Sequence, residues 1–314
     1  MPRHIAAFPR IAVLLCTADG ADYLAEQLAS IAAQSRPPAV VFIHDWNSRD
    51  RTRVLLAEFA SLQSLSIPVT IVEHDNKPGA ALSFIRAIKH CLAGDIEFDY
   101  LALCDQDDLW APCKLRLYAD RITEPGRNTP EFLYGDVQIV GSDGKQIISP
   151  TFYGPQSPFR APLELKDPSL LLVNPVVGMS ICASRCFLES HSDVLEGPWL
   201  MHDWALALLA SSSGTPTAFL KAPTVNYRQH GANVLGATQG WRLYERFRKA
   251  RQQFTRLKRQ AEWLERSAGR HTEFPAKVFD SRWSVAMIAV NSRLLKPIYR
   301  WLLACAILVL WSYC

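Results

Sequence analysis

Apolar positions in the first hundred residues fall into short continuous runs, separated by stretches in which they recur every three or four residues. The runs are Ile11 to Cys16, Ala39-VVFIH, Pro68-VTIVE and Tyr100 to Leu103, each of a length that suits a strand buried on both faces. Between them, Leu24, Leu28 and Ile31 mark the inner face of one helix. Leu55, Phe59 and Leu62 mark a second, and Leu82, Ile85 and Ile88 a third. Asp19-Gly20 and Asn76-KPGA supply the turns, and Asp50 is suited to cap the second helix. Strand and helix therefore alternate four times, which predicts an α/β fold with a mostly parallel sheet flanked by helices.

Beyond residue 104 the pattern loosens. Trp110-APCKLRLYADRI reads as another helix, Phe132-LYGDVQIV as a strand ending at Gly141-SDGK, and Ala218 to Tyr227 as a final short strand. Leu163 to Ser192 lacks a clear period, and Asn174-PVVGMSICAS within it reads as an active-site segment feeding a strand. His202-DWALALLAS opens an apolar helix. From Trp241 to Arg270 the chain is long, basic and helical, with Trp241, Tyr244, Phe247, Phe254, Leu257 and Leu264 as its apolar face. No repeat of 20 to 50 residues is visible. The expected organisation is a catalytic domain over 1–236 and a basic helical extension with an apolar tail over 237–314.

Composition changes this picture in two places. The net charge of +4 over 314 residues is small, yet Trp241 to Arg270 holds ten Arg/Lys against three Glu. So local an excess points to a one-sided contact with an anionic membrane surface and away from nucleic acid. The run from Trp301 to Trp311 is too short for a bilayer span of ~20 residues and too apolar for an exposed tail. It is suited to pack on the core, on a partner chain, or into one leaflet. The eight cysteines show no ligand-like pairing beyond Cys182-x-x-x-Cys186 and read as reduced, mostly buried thiols of a cytosolic chain. The apolar run after Met1 to Arg10 is shorter than a signal peptide needs, so strand one is expected there.

The chemistry concentrates in Cys104-DQDDLW, where an apolar strand runs directly into Asp105, Asp107 and Asp108. Carboxylates at the carboxyl end of a strand lie where open α/β sheets bind ligands, and hard oxygen donors suit Mg²⁺ or Mn²⁺ held against a diphosphate. Helix capping is the competing use of such acids. Asp203, beside His202 at a helix start, either caps that helix or takes a proton from an acceptor hydroxyl. Arg228 and His230, at a strand end beside Gly231, either hold a diphosphate or form a surface turn.

Seven pieces stand in one order: Thr17-ADG with Tyr23-LAEQLASIAAQ, His44-DWNSRD, Asn76-KPGAALSF, Cys104-DQDDLWAPCKL, Tyr134-GDVQIV, His202-DWALALLAS and Tyr227-RQHGANVLGA. Through them the chain, from about Ile11 to Gly236, resembles inverting nucleotide-sugar glycosyltransferases of family 2 with the GT-A fold, and among these the bacterial rhamnosyltransferases of O-antigen type. The resemblance implies Mg²⁺- or Mn²⁺-dependent transfer from a nucleotide-sugar donor, with dTDP-rhamnose as the expected donor and a hydroxyl of a growing surface glycan as acceptor. It implies a Rossmann-like nucleotide-binding half, Asp105 near the nucleotide and its ribose, Asp107 and Asp105 on the metal, and Asp203 as catalytic base. Thr17, Asp19 and Asp45 are expected around the nucleotide. A polyprenyl-diphosphate-linked acceptor would place the protein peripherally on the inner face of the bacterial membrane. The alternatives are another UDP-, GDP- or dTDP-sugar, or a non-catalytic carbohydrate-binding relative. A nucleotidyltransferase would need an early glycine-rich basic loop, which Thr17-ADGADY does not provide.

Two departures from the family pattern bear on the donor. Where the family has two consecutive acids, this chain has Asp45-Trp46, so Trp46 is expected to stack on the base. Where the family has Tyr-Asn, it has Ala18-Asp19, which returns one acid to the same neighbourhood.

Overall fold

The computed structural model describes residues 8–63, 66–231, 243–268 and 276–310, without the side chains of 243–251, 268 and 310. The expected boundary at 236/237, the apolar-face side chains of Trp241, Tyr244 and Phe247, and Trp311 lie outside the described residues.

Four strands alternate with three helices as the pattern predicts: β1 (Ile11–Thr17), α1 (Ala21–Ala32), β2 (Val41–Trp46), α2 (Thr52–Gln63), β3 (Val69–His74), α3 (Ala80–Ala93) and β4 (Tyr100–Cys104). Every residue of β1, β2 and β4 is buried, because helices cover both faces of the sheet. Alternate residues of each strand feed different cores. Val13, Leu15, Val41 and Ile43 meet Leu24, Leu28, Leu56 and Phe59 of α1 and α2, whereas Leu14, Phe42, Leu101 and Leu103 belong with Phe84, Ile85 and Ile88 of α3. Two expected inward positions differ: Leu62 and Leu82 are exposed, since Leu56, and Phe84 with Cys91, complete the buried faces instead.

After β4 come β5 (Leu109–Trp110), α4 (Lys114–Ile122), β6 (Phe132–Gly135), β7 (Gln138–Val140), β8 (Ile147–Ser149), β9 (Cys182–Ser184), α5 (Arg185–Ser190), α6 (His202–Ser212), β10 (Thr217–Leu220) and β11 (Val225–Arg228). The main sheet has seven strands in the order β10-β6-β9-β4-β1-β2-β3 and is parallel except for β9. A second sheet, β5-β11-β7-β8, draws on the same segments. Two single strands expected from sequence are therefore each two. Phe132 to Val140 breaks at Asp136, whose carboxylate accepts the amides of Val137 and Phe152, and the chain changes sheet there. Ala218 to Tyr227 likewise divides between β10 and β11.

This split positions the site. Strand order reverses between β1 and β4, leaving a crevice at their carboxyl ends, and the second sheet begins beside the acidic turn that follows β4.

The C-terminal part is helical: α7 (Leu243–Ala268), α8 (Arg282–Asn291) and α9 (Pro297–Leu310). Helix α7 packs Leu257, Ala261 and Leu264 into the core, and the Trp263 indole donates to the Val194 carbonyl at 3.0 Å. Among the described residues no helix is long and apolar enough to cross a membrane. All the cysteines described are free thiols, with Cys16, Cys91, Cys104 and Cys182 buried.

Candidate active site

The turn after β4 is held from three directions. On one side, Gln106 accepts the Ala18 amide at 2.8 Å and donates to the Ala18 carbonyl at 3.2 Å, joining the ends of β1 and β4. Gly20 leaves the room for this, because a Cβ there would lie 2.3 Å from Gln106 Oε1. From the second sheet, the Arg228 amide donates to Asp108 Oδ1 at 3.0 Å and its Nε to the Asp107 carbonyl at 2.9 Å. Its Nη1 donates to the Ser142 carbonyl at 2.8 Å, and its Nη2 is paired with Glu26 of α1. Beneath the turn, the buried Lys114 ammonium donates to the Met179 carbonyl and lies 3.8 Å from the Trp110 ring centroid.

So held, Asp107 presents Oδ2 to His230 Nε2 at 2.9 Å. The His230 ring packs on Tyr23 with centroids 4.5 Å apart, and the other neighbour of Tyr23 is the Arg228 guanidinium at 4.7 Å. Asp107 and His230 are 123 positions apart in the chain, and the second sheet brings them together.

Asp203, in the first turn of α6, faces the same crevice. Burial pushes its carboxyl up to about 7. Asp105 is pushed up to about 8, first by burial and then by the charges of Asp107 and Asp203, so the three carboxyls lie within electrostatic reach of one another. Asp108 is also raised, chiefly by burial, and its Oδ2 has no hydrogen-bond partner. Buried carboxylates of one sign gathered at a crevice are an arrangement that a cation stabilises. Among the described residues no three acidic, His or Cys side chains form a ready metal cage. Asp107 and His230 do offer an oxygen and a nitrogen ligand, a donor set that Mn²⁺ accepts and that Mg²⁺ can complete with water and substrate phosphates.

Other predicted residues take different places. Thr17 and Asp45 bind each other, Oγ1 to Oδ1 at 2.9 Å, and both side chains are buried. Asp45 also accepts the amide and hydroxyl of Ser48 and pairs with Arg53 Nε at 2.9 Å, so its oxygens brace the β2–α2 loop. Trp46 is 2% exposed. Its ring stacks on His74 at 3.7 Å and 6°, so this face is closed to the nucleotide base that the sequence reading placed on it. Arg228, 3% exposed in its side chain, binds the acidic turn and Glu26 with its guanidinium and does not present it to a diphosphate. Asp19 is exposed at φ +49°, pairs with Lys77, accepts the Arg49 amide at 2.8 Å, and so ties three loops at the crevice mouth.

Sequence reasoning missed Tyr23, Glu26, Gln106 and Lys114 as builders of the site. Tyr23 and Glu26 are three apart on α1, directly after the Asp19-Gly20 turn, and that one-face spacing is the signal that could have exposed them. Gly178 was missed as well: a Cβ there would lie 2.9 Å from His202 Nε2 and 3.6 Å from Asp203 Cβ.

Comparison with known proteins agrees with this arrangement. The model of "Glycosyl transferase family 2" matches residues 12–160. The dTDP-rhamnosyl transferase RfbG of Shigella flexneri is 28% identical over 227 residues, covering 71% of this chain and 74% of the relative. Among solved structures, S. aureus TarS 1-349 in complex with UDP-GlcNAc matches 95% of this chain and 72% of its own, at 16% identity and a TM-score of 0.55. The mannosyltransferase PcManGT from Pyrobaculum calidifontis, in complex with GDP-Man and Mn²⁺, matches 100% and 79% at 17% identity and a TM-score of 0.53. The family match covers β1 to β8, just under half of the chain, and with the sheet order and the acidic turn at its switch point it makes this chain similar to GT-A-fold glycosyltransferases of family 2.

Proposed function

We propose that the protein transfers a sugar from a nucleotide-sugar donor to an acceptor hydroxyl with inversion at the anomeric carbon. The observation that carries this reading is the convergence of Asp105, Asp107–His230 and Asp203 at the carboxyl ends of β1 and β4.

Asp203 acts as the base, taking the acceptor proton as the hydroxyl oxygen attacks the anomeric carbon from the face opposite the diphosphate. One bond forms as the other breaks, the nucleoside diphosphate leaves, and no protein nucleophile is used. A carboxyl pushed to about 7 by burial suits this role, since a base is most effective when its pKa lies near the working pH. Asp107 and His230 would hold Mg²⁺ or Mn²⁺, which when bound supplies positive charge for the leaving diphosphate. Asp105 faces the donor beside them, and Arg228, Gln106 and Lys114 keep the turn in place. The Asp19–Lys77 pair borders the nucleotide at the crevice mouth.

Within this class, rhamnose from dTDP-rhamnose is the finer reading, and likeness to the Shigella protein supports it. The likenesses to proteins solved with UDP-GlcNAc and GDP-Man support the donor class broadly and leave another UDP-, GDP- or dTDP-sugar as the alternative. The acceptor is a hydroxyl of a growing bacterial surface glycan carried on polyprenyl diphosphate, which would place the enzyme peripherally at the inner membrane face. The test is release of nucleoside diphosphate from a panel of dTDP-, UDP- and GDP-sugars with Mn²⁺ and a lipid-linked glycan extract. Extract-dependent release from one donor, lost in Asp203→Asn, is expected. No release from any donor by folded protein with an active extract would overturn the reading.

A further inference from the structure

Helices α8 and α9 pack against each other and against the core through Val285, Ala286, Ala289 and Ala304. Their outer side is apolar. On α9, Ile298, Trp301, Leu302 and Val309 are each more than half exposed, at spacings of three, one and seven that keep them on one face. On α8, Trp283 and Met287, one turn apart, are 61% and 55% exposed. An apolar face carrying two exposed tryptophans is unusual on a surface that meets only water.

Charge selects the occupant. Residues 281–310 contain no acid and four bases, Arg282, Arg293, Lys296 and Arg300. The Arg282 guanidinium lies 5.6 Å from the Trp283 ring centroid, and Arg293 is exposed. Lys296 is bound to the Gly154 and Pro155 carbonyls and so also anchors the hairpin to the catalytic body, while Arg300 donates to the Leu295 carbonyl at 3.0 Å within the hairpin. A second copy placed on this face would set base against base with no acid between, whereas anionic phospholipid headgroups complement it. The 14 residues of α9 rise about 21 Å, short of the ~30 Å hydrocarbon core. Tryptophans belong at the boundary between headgroup and acyl chain.

We propose that the outer face of the α8–α9 hairpin is a monotopic membrane anchor that seats in one leaflet of an anionic phospholipid bilayer. The proposal rests on the transferase reading only for its biological purpose, and its test uses neither donor nor acceptor. Full-length protein is floated with vesicles of phosphatidylcholine alone and of phosphatidylcholine with phosphatidylglycerol, at low and high salt. Flotation with the anionic vesicles is expected, weakening with salt. It should fall at least about tenfold in the exposed-site variants Trp301→Glu and Leu302→Glu, and severalfold in Arg293→Glu, with unchanged far-ultraviolet circular dichroism and melting temperature. Absence of flotation by the folded wild type would overturn the proposal, as would flotation that these variants leave intact. A concentration-dependent dimer in sedimentation that Trp301→Glu dissociates, without vesicle binding, would overturn it in favour of a second copy. Retained vesicle binding by a protein that releases no nucleoside diphosphate would overturn the transferase reading and leave the anchor standing.

Discussion

The Nε of Arg228 donates to the carbonyl of Asp107 at 2.9 Å, so a residue at the end of β11 sets the backbone that aims the carboxylate proposed to hold the metal. The same guanidinium reaches Ser142 and Glu26, which fixes the second sheet and α1 around one turn. A lysine in its place has one cationic centre and no planar fork. We expect Arg228→Lys to fold, to bind Mn²⁺ less tightly, and to lower kcat/KM by about 10- to 100-fold, mostly through kcat. Steady-state release of nucleoside diphosphate across Mn²⁺ concentrations checks this. An unchanged kcat would remove the positioning role.

His230 meets Asp107 directly, and under the proposed metal role its loss would leave the cation one protein ligand fewer. His230→Ala should raise the half-saturating Mn²⁺ concentration by at least about tenfold while melting within a few degrees of the wild type. Calorimetric titration of Mn²⁺ into the protein with a nucleoside diphosphate present provides the measurement.

As the proposed base, Asp203 would link rate to pH. With its carboxyl pushed up to about 7, kcat/KM should rise with pH through that value, and Asp203→Asn should lose about 10²- to 10⁴-fold and the ionisation with it. Stability runs the other way. A raised carboxyl pKa contributes most below the unfolded value of about 4, and that contribution is lost as pH rises through about 7. Asp203→Asn should therefore be more stable than the wild type at pH 8, by an amount of the order of a few kcal/mol, and show little advantage at pH 4. Urea titrations at the two pH values would detect it, and equal gains at both would refute the assignment.

Gly178 has no room for a side chain. The Cβ of Gly178→Ala would lie 2.9 Å from His202 Nε2, and that ring is buried and stacked on Phe84 at 4.0 Å. The strain passes to Asp203 next door. A fall in kcat of about tenfold or more is expected, with a stability loss of about 1–3 kcal/mol from overpacking. Gly214→Ala, in a loop where a Cβ meets no neighbour within 4 Å, is the control for activity, although its φ of +65° carries a backbone cost.

Trp46 replaces an acid of the family pattern but is a core residue in this chain, alongside Leu14, Cys16 and Phe84. Trp46→Ala should cost about 3–5 kcal/mol by urea denaturation. Trp46→Asp, which restores the family acid, should fail to fold stably instead of shifting donor choice, because it removes the indole from the core and puts a charge in its place. Stable Trp46→Asp protein with altered donor preference would show that the indole borders the nucleotide after all.

The sequence by itself determined the alternation of β1 to β4 with α1 to α3 and the acidic turn at the end of β4. Each is a local property: a continuous apolar run needs cover on both faces, a helical period presents one face, and carboxylates end a buried strand where it reaches water. It also placed Asp203 in the first turn of α6, since that position follows from where the apolar helix begins. The partners of these residues were not legible. Thr17 and Asp45 looked like ligand groups by position, yet they satisfy each other because parallel pairing of β1 and β2 sets them side by side in register. Arg228 looked free to hold a diphosphate, yet burial in the second sheet obliges its guanidinium to satisfy the Asp107 carbonyl and Glu26. Trp46 looked available to a nucleotide base because it stands where the family has an acid, while His74, next to it only through β2–β3 pairing, covers its ring. Nor does a local pattern contain the meeting of Asp107 with His230: it exists only because β5 and β11 pair antiparallel, bringing the ends of distant segments to one place, and long-range pairing of that kind is decided by the packing of the whole chain.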